Sequence, residues 1–580
     1  MKIKSYLKRG ITSMYLAIQR FPITIGMTSL VSFFLIFLVH QGSSLDPDTL
    51  DQLQRVTMVL ALGIPLSLCI KRILEIKSPS MPFLFYLVGI GLLVGYYLLF
   101  LKDMKQLSMI RYTAITLALY LAFIFLPYGS DHTQDFELYT IQLGGRFFLT
   151  VIYTLVLFLG LAGILFTVDQ LLGVTVTSKP YLDVWIGSVG IFAPAFFLAG
   201  VPKLPLSKIS FSYPHAFKVL LLYIVMPLLT AYTAILYLFF AKILITHQWP
   251  NGLVAHLVLW YSIITTIVLF CIDTLRTKNK WAKTFYFWMS KLILPILVIM
   301  FVSIGIRIQA YGVTSNRYFV VLAGLWVTGS MLYLAFVKKP KTIWLLISLS
   351  CLSFLSVWGP WSHAQVSLVS QNHRLEKILT QNGMIQEGRI LLSTTISPKD
   401  QVEISQILSY LEKMDSLKKV RSLPLDFTLE KMDETFGFSY QSAYASLRKY
   451  FYYSTMGEKP FPMAIGDYDY FMDFRNYYFP AIYTSNLGEM EISYEAKTTE
   501  IVFLEKGREI YRRKVSDFGK QLYEKYGINE KGQLPLEEMT FYDENERLKI
   551  AFVLSNVHGD AEQNDVTINE VGFYILVQIK

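Results

Sequence analysis

A succession of long apolar segments occupies the first 361 residues of this 580-residue chain and restricts its fold more than any other feature. An α-helix needs about 20 consecutive apolar residues to cross the hydrocarbon core of a membrane. No water is available there, so the backbone N–H and C=O groups must bond within the segment, which favours helices. The sequence predicts eleven spans, at about residues 21–39, 56–70, 81–101, 112–127, 147–168, 183–201, 219–245, 253–272, 285–306, 318–336 and 343–361. The first is not predicted to be a cleaved signal peptide, since no small-residue cleavage site follows it.

Composition and charge agree with a membrane protein and divide the chain in two. Hydrophobic residues make up 53% of the sequence and charged residues 17%, with a mean hydropathy of +0.42. Up to Trp361 there are 28 Lys and Arg against 11 Asp and Glu, and from Ser362 onward there are 25 against 32. The excess positive charge lies between apolar segments and not on one polar face, so nucleic acid is not a predicted partner.

The positive charges also predict the orientation, because Lys and Arg in short loops resist translocation. With the N-terminus in the cytoplasm, 20 of the 28 cations fall in cytoplasmic segments and eight on the other side. One outer segment opposes this pattern, since it holds Lys102, Lys105 and Arg111. The prediction is a multi-pass protein of the cell membrane with residues 362–580 as an extracytoplasmic domain.

The polar half is predicted to be α+β. Residues 362–488 are predicted to be helical and rich in aromatic residues, with one helix near 366–382 and another starting at Ser397-Pro398. Residues 489–580 are predicted to be mainly antiparallel β, because "MEISYEAK" and "RLKIAFVLS" alternate apolar and polar residues. The predicted fold is thus a polytopic helical membrane bundle over residues 1–361, followed by an extracytoplasmic α+β domain with a C-terminal antiparallel sheet. All three cysteines lie in predicted spans, so neither a disulfide nor a zinc site in the outer domain is predicted, nor any cofactor.

Several stretches resemble a known family. The junction reads "GPWSHAQVSLVSQNHRLEKILTQNGMIQEGRI", and earlier stretches read "RFPIT", "ALGIPLSL" and "YGVTSNRY". They resemble the bacterial membrane proteins of the domain of unknown function family 4153, which show Gly-Pro after the last span, then V-S, S-Q, R-L and a helix ended by Gly. The resemblance covers the membrane half and the polar half to about residue 440. It implies a multi-pass bacterial envelope protein, and it supplies no catalytic residues because the family has no established activity.

The junction itself is a candidate functional segment. Its candidate residues, which carry the interface signals and the resemblance, are Trp358, Gly359, Pro360, Trp361, Ser370, Gln371, Arg374 and Leu375. Trp358 and Trp361 suit the aromatic belt of the outer interface, and Gly359-Pro360 ends the eleventh helix. A water-soluble helix then follows with no flexible linker. We therefore expect the junction to couple the tilt of the last span to the position of the outer domain.

Charged groups at the ends of spans are further candidates, since each is costly in lipid. They are Asp169, Asp183, Asp273, Lys291, Arg307 and Arg317. All lie near predicted interfaces, where carboxylates reach water and Lys291 can snorkel, so an interfacial role is favoured over an ion or proton pathway. For the two arginines around "IQAYGVTSN", a pocket for an anionic lipid head group is the alternative to interface anchoring.

Two acidic clusters complete the candidates. Asp467, Asp469 and Asp473 lie among aromatic residues in "MAIGDYDYFMDFRNYYFPAIY", a combination that suits sugar binding or glycoside hydrolysis. Their spacing is not that of a calcium loop, and an aromatic core edge or a surface resting on the membrane is favoured. The acids and the histidine of "SDHTQDFE" match no ligand pattern, so no metal site is predicted.

The sequence favours a non-catalytic role. It contains no phosphate-binding loop, zincin, nucleophile-elbow or kinase motif. The favoured prediction is an envelope protein whose outer domain binds or senses a ligand or partner. One alternative is a membrane-embedded glycosyltransferase that uses a lipid-linked sugar through Asp46, Asp48 and Asp51. Another is a transporter, although no matching halves are found. The predicted partners are membrane lipids and either an envelope polymer or another membrane protein.

Overall fold

The computed structural model describes residues 2–129, 136–172, 177–204, 206, 211–246, 253–386, 389–392, 396–420, 422–424, 426–441, 449–455, 465–475, 482–487, 490–527, 532–562 and 565–580. The chain forms two compact units. The membrane unit comprises Met1–Lys377 and Tyr410–Leu423, and the C-terminal unit comprises Ile378–Ser409 and Pro424–Lys580.

The membrane unit is a helical bundle. Its helices are α1 Lys2–Arg20, α2 Pro22–Gln41, α3 Pro47–Lys77, α4 Pro82–Phe100, α5 Gln106–Phe125, α6 Phe136–Leu172, α7 Ser178–Gly187, α8 Ala193–Ala199, α9 His215–Leu220, α10 Met226–Thr246, α11 Leu253–Ile272, α12 Lys280–Tyr311, α13 Ser315–Phe336, α14 Ile343–Leu355 and the start of α15, His363–Gln381. Short 3₁₀ helices follow α2 at Gly42–Ser44 and α5 at Leu126–Gly129.

Ten helices in the described part of the chain are long and apolar enough to cross a membrane, which confirms the predicted multi-pass architecture. The eleventh predicted span, 343–361, corresponds to α14, which is apolar but has only 13 residues. Three of the spans begin with proline, at Pro22, Pro47 and Pro82. The first turn of a helix has no partner for its N–H groups, so a residue without an N–H starts it at little cost.

Two of the spans contain a π-helical turn one turn before a proline. Ser188–Phe192 joins α7 to α8 ahead of Pro194, and Leu221–Val225 joins α9 to α10 ahead of Pro227. A proline ring clashes with the carbonyl group four residues earlier, and widening the helix there relieves the clash. Each pair of helices therefore forms one span, at residues 178–199 and 215–246.

The helix ends gather at two opposite ends of the bundle. At one, the hub end, Arg20, the last residue of α1, donates to Glu75 near the end of α3 and to the carbonyl oxygen of Val201 after α8. At the other, the junction end, His40 at the end of α2 contacts Asp183 on α7, and Arg55 on α3 donates to the carbonyl oxygen of Lys102. The two ends of α2 and of α3 therefore belong to different groups, as expected for helices that cross in turn.

The C-terminal unit is α+β, as predicted. Its helices are the end of α15, most of α16 (Pro398–Lys413), α17 (Met432–Phe436) and α18 (Ser516–Tyr526), with a 3₁₀ turn at Leu429–Lys431; the 3₁₀ turn Leu417–Lys419 lies in the membrane unit. Its strands are β1 Ile385–Gln386, β2 Arg389–Ile390, β3 Lys449–Ser454, β4 Tyr470–Asp473, β5 Ile482–Leu487, β6 Met490–Glu495, β7 Glu500–Glu505, β8 Arg508–Lys514, β9 Thr540–Glu544, β10 Leu548–Glu562 and β11 Asp565–Ile579.

Two antiparallel sheets share one core. The five-stranded sheet has the order β3-β10-β11-β4 with β9 also pairing β10, and the four-stranded sheet has the order β5-β6-β7-β8. Ile492 and Phe503 of the smaller sheet are buried in the same apolar cluster as Phe552 and Phe573 of the larger one. Alternate residues of β6 and β7 face this cluster, which is the pattern expected for strands buried on one face.

Strands also occur before residue 488, where the sequence predicts a helical, aromatic-rich segment. In β3, Phe451 and Tyr453 are buried while Tyr450 and Tyr452 are exposed. Aromatic residues on both faces conceal the alternation of burial from a reading of hydrophobicity alone. The proposed subdivision of the polar half at residue 488 stays a prediction.

Candidate functional site

The turn between α12 and α13 is held by three side chains of α15, and we call this arrangement the junction clamp. The turn runs from Tyr311 to Ser315, and its Gly312 has a φ of 67°, a left-handed conformation that favours glycine. The clamp side chains are Ser370, Gln371 and Arg374. All of these residues belong to the membrane unit. Two stretches that carry the family resemblance, "YGVTSNRY" and the S-Q and R-L pairs, thus contact each other.

Gln371 and Ser370 bind the backbone of the turn. Gln371, which is 2% exposed, donates from Nε2 to the carbonyl oxygens of Tyr311 at 3.1 Å and Val313 at 3.0 Å. The N–H of Val313 donates to Oγ of Ser370 at 2.8 Å. A Cβ on Gly312 would lie 2.8 Å from Nε2 of Gln371, so a larger residue would displace this amide in addition to straining the left-handed backbone. Backbone groups that no helix can satisfy are therefore satisfied by α15.

Two arginines meet at Tyr311. Arg317 donates from Nη1 to the carbonyl oxygens of Tyr311 at 3.0 Å and Gly312 at 2.7 Å. Arg374 donates to the same Tyr311 oxygen at 3.2 Å. Both guanidinium groups lie over the Tyr311 ring, at 5.4 Å and 5.7 Å from its centroid. Such cation–π contacts add to the hydrogen bonds and fix the ring.

Ser315 begins α13 within a buried polar cluster. Its Oγ lies 2.9 Å from Nδ1 of His363 and 2.9 Å from the hydroxyl of Tyr410, to which its N–H also donates at 2.8 Å. His363 is fully buried, and its Nε2 has no partner among the described residues. Burial, with a contribution from the Arg111 charge, lowers the pKa of His363 to about 4. The imidazole is therefore neutral at physiological pH.

Of the remaining junction candidates, four lie in the segment before α15 and Leu375 lies within that helix. The Trp358 ring lies edge-on to Phe100 at 4.5 Å, and Trp361 is 56% exposed while its carbonyl oxygen accepts from the Tyr318 hydroxyl at 2.8 Å. Gly359 has a φ of 75°, and Pro360 is exposed. Leu375 is fully buried. Of the predicted junction residues, the structure thus brings Ser370, Gln371 and Arg374 to the α12–α13 turn and Trp361 to Tyr318 on α13.

A buried ionic cluster at the hub end was not predicted as a site. Arg20 forms a two-pronged contact with Glu75, from Nε at 2.8 Å and from Nη2 at 2.9 Å. Arg72, which is fully buried, donates to Glu75 at 2.9 Å, to the carbonyl oxygen of Pro202 at 3.1 Å and to the Tyr139 hydroxyl at 3.2 Å. The cluster ties together α1, α3, α6 and the segment after α8. Its residues entered the sequence analysis only as charges of cytoplasmic segments.

The predicted carboxylates of the spans do not converge. Asp183 accepts from His40 at 2.8 Å, and Asp169 lies beside the amide of Gln170 at 2.9 Å. Asp273, directly after α11, pairs with Arg276 at 3.1 Å. Burial raises the pKa of Asp273 to about 6 against the opposing effect of Arg276, with a further rise from Glu137.

The predicted cations of the spans take different positions. Nζ of Lys291 lies 3.5 Å from the centroid of the Phe287 ring. Arg307 and Arg317 are both half-buried, and their positive charges repel each other.

Two of the three candidate acids of the C-terminal unit bind other residues of that unit. Asp469 accepts from the N–H of Ile579 at 2.8 Å, and Asp473 pairs with Arg475 at 2.6 Å, which lowers the pKa of Asp473. Asp467 is exposed in the turn before β4. No group of three His, Cys, Asp or Glu side chains that could hold a metal ion occurs among the described residues. The candidate cluster "SDHTQDFE" lies mostly at 131–135, outside them.

The acids of the first predicted outer loop also have structural partners. Asp46 caps α3 by accepting from the N–H of Thr49 at 2.9 Å, and Asp51 pairs with Arg55 at 2.8 Å. Asp48 lies in the first turn of α3, where an acid suits the helix dipole. These contacts give each carboxylate a role in forming α3.

An apolar cavity of about 460 Å³ lies between α5, α13 and α14. Two residues that line it, Phe319 and Ser356, also contact His363. The centroids of the Phe319 and His363 rings are 5.3 Å apart, and the backbone N–H of His363 donates to the carbonyl oxygen of Ser356 at 2.9 Å. The Ser353 and Ser356 hydroxyls in its wall donate to backbone oxygens of Ala114 and Ser353. The cavity therefore offers mainly hydrocarbon and lies beside the buried cluster of Ser315.

Comparison with known proteins agrees with the resemblance. The family model described as Domain of unknown function (DUF4153) matches residues 25–387. An uncharacterized protein of Pasteurella multocida (strain Pm70) is 25% identical over 234 residues, which is 40% of this chain and 39% of that protein. The similarity to this relative thus spans about two fifths of its length. No solved structure matches the chain. The residues of the junction clamp all fall within the family match.

Proposed function

The chain belongs to the DUF4153 family, and from this premise we propose that it is a non-catalytic protein of the bacterial cell envelope whose C-terminal unit senses a ligand or partner. In this proposal the N-terminus is cytoplasmic and the C-terminal unit is extracytoplasmic. The ligand is an envelope polymer or another membrane protein, and the membrane unit anchors the sensor and receives its signal.

The junction clamp is the observation that carries the proposal. Helix α15 belongs to the membrane unit up to Lys377 and to the C-terminal unit from Ile378, so one continuous helix runs through both. Its first half is fixed to the α12–α13 turn through Gln371 and Ser370. A displacement of this helix must move the turn or break these bonds. That mechanical link suits a sensor better than a passive tether.

The proposed orientation rests on the distribution of positive charge. The cations of the predicted cytoplasmic segments outnumber those outside by 20 to eight. The contacts of Arg20 with Glu75 and of Lys105 with Asp415 fall at opposite ends of the bundle, and either orientation requires this alternation, so the charge count alone supports the choice.

Labelling from outside the cell tests the orientation. A cysteine replaces Glu546, which is exposed between β9 and β10, in a chain whose three native cysteines are changed to alanine. Lys278→Cys, exposed in the short loop after α11, is the matched control. A membrane-impermeant maleimide should label the first variant in intact cells and the second only after lysis. The reverse pattern would overturn the orientation.

Crosslinking tests the sensing role. A photoreactive amino acid at Tyr542, which is 71% exposed on β9, should capture one species reproducibly, identified by mass spectrometry. The same amino acid at the exposed Lys278 serves as the control and should not capture it. Insertion of a Gly/Ser linker after Trp361 should then abolish complementation of a deletion strain while leaving the crosslink intact. Full complementation by the linker variant would show that the junction is only a connector.

A further inference from the structure

We propose that the face of the α12–α13 turn bearing Arg307 and Arg317 binds the phosphate group of an anionic membrane lipid. Arg307 and Tyr311 are one turn apart on α12 and therefore lie on the same face of that helix. Arg317 follows on α13, with its guanidinium group 5.4 Å from the centroid of the Tyr311 ring. With Arg374, which also lies over this ring, three cations are close to one aromatic side chain.

The electrostatics of this face point to an anion. Neither Arg307 nor Arg317 forms an ion pair with a carboxylate among the described residues, and the guanidinium group of Arg374, 5.7 Å from the centroid of the Tyr311 ring, adds a further positive charge. Like charges in half-buried positions repel each other more strongly than in water. An anion placed between Arg307 and Arg317 would convert this repulsion into attraction.

The hydrogen bonds of Arg317 leave it able to bind such an anion. Its contacts with the carbonyl oxygens of Tyr311 and Gly312 use Nη1 alone. Nε and Nη2 make no hydrogen bond with the described residues. A guanidinium group offers donors in a planar fork that matches two oxygens of a phosphate group.

The position of the turn selects a lipid as the source of the phosphate. Val313 and Thr314 are part of a link of three residues between two helices that can span the membrane, so the turn lies at a membrane surface. Lipid phosphates are concentrated at that level, and a basic residue near an anionic membrane surface gains about 1 kcal/mol. Tyr318 and Trp361, joined by a hydrogen bond of 2.8 Å, supply aromatic groups typical of the same level.

Lipid binding here goes beyond the proposed function, since it requires no assumption about what the C-terminal unit recognises. It also gives the turn a second regulator. A phosphate held by Arg317 would strengthen the same turn that Gln371 holds, because Arg317 already binds the backbone of Tyr311 and Gly312.

The test is lipid-dependent thermal stability of the full-length protein in a neutral detergent, with phosphatidylglycerol or phosphatidylcholine added. Arg307→Gln is the informative variant because Arg307 makes no hydrogen bond with the described residues, and Arg307→Lys keeps the charge. Arg55→Gln is the matched control: Arg55 also binds a backbone oxygen at the junction end and lies 5.9 Å from the Tyr97 ring, but it pairs with Asp51.

Phosphatidylglycerol should raise the melting temperature of the wild type, of Arg307→Lys and of Arg55→Gln, and phosphatidylcholine should not. For Arg307→Gln the affinity for phosphatidylglycerol should fall about fivefold, the equivalent of about 1 kcal/mol. An equal response of Arg307→Gln and the wild type would overturn the site. If inorganic phosphate reproduced the stabilisation, the assignment to a lipid would be wrong.

Discussion

Replacing Gln371 with alanine should loosen the α12–α13 turn without unfolding the bundle. The substitution removes both hydrogen bonds from Nε2, to the carbonyl oxygens of Tyr311 and Val313. The Tyr311 oxygen keeps its bonds from Arg317 and Arg374, whereas no other bond to the Val313 oxygen is seen among the described residues. The Tyr311 oxygen thus stays bonded, whereas the Val313 oxygen loses its partner. Together these losses should lower the free energy of local opening by about 2 kcal/mol.

Hydrogen exchange reports this opening directly. The N–H of Val313 bonds to Ser370 and that of Ser315 to Tyr410, so both amides are protected only while the turn stays in place. A cost of about 2 kcal/mol should speed their exchange about 30-fold. The spans should keep their protection because no contact within them is changed.

The matched control is Gln365→Ala, since Gln365 is exposed on the same helix. Exchange in this variant should stay within about twofold of the wild type, because exposed substitutions change stability by less than about 0.5 kcal/mol. Equal exchange rates at Val313 and Ser315 in Gln371→Ala and Gln365→Ala would refute the idea that the clamp holds the turn.

Three further predictions concern other parts of the chain. Glu75→Gln should lower the unfolding free energy by about 3 kcal/mol, because it leaves buried Arg72 without its carboxylate; Glu376→Gln, on a half-buried acid outside this cluster, is the control, and equal melting temperatures would contradict the prediction. The pKa of His363 is about 4 in the folded protein, below its unfolded value near 6.5, so the unfolded chain binds the extra proton and stability should fall as the pH drops from about 6.5 to about 4. His363→Asn should flatten this dependence in thermal melts, and an unchanged slope would argue against a buried neutral imidazole. Asp46→Ala should lower the melting temperature through loss of the α3 cap, and the Asp46→Ala, Asp48→Ala pair should still complement a deletion strain; loss of an envelope glycan would instead favour the glycosyltransferase.

The sequence predicts the bundle well because crossing a membrane demands length and hydrophobicity, and both can be read residue by residue. It also identifies Ser370, Gln371 and Arg374 through the family resemblance, without showing what they bind. Their target, the "YGVTS" turn, lies about 60 residues earlier in the chain, and only folding brings the two stretches together. The local signal for the turn was Gly312 followed by the β-branched Val313 and Thr314, which have a low helix propensity.

Other features could not be predicted for the same reason. Arg72 has the appearance of a loop cation next to Lys71, and its complete burial depends on Glu75, Tyr139 and Pro202, which come from three parts of the chain. Ser315, His363 and Tyr410 are unremarkable in sequence and become a polar cluster through packing alone. The paired aromatic residues of β3 conceal the strand because neither face is polar.

The return of the chain to the membrane unit at Tyr410–Leu423 affects how the protein can be made and shortened. Tyr410 supplies the partner of the Ser315 N–H, and Asp415 supplies that of Lys105, so these sites near α13 and α5 stay incomplete until residues far downstream have left the ribosome. A fragment that stops at the last apolar helix therefore contains every span and still lacks the contacts that finish two of them. Expression of the membrane part on its own should retain residues up to Leu423.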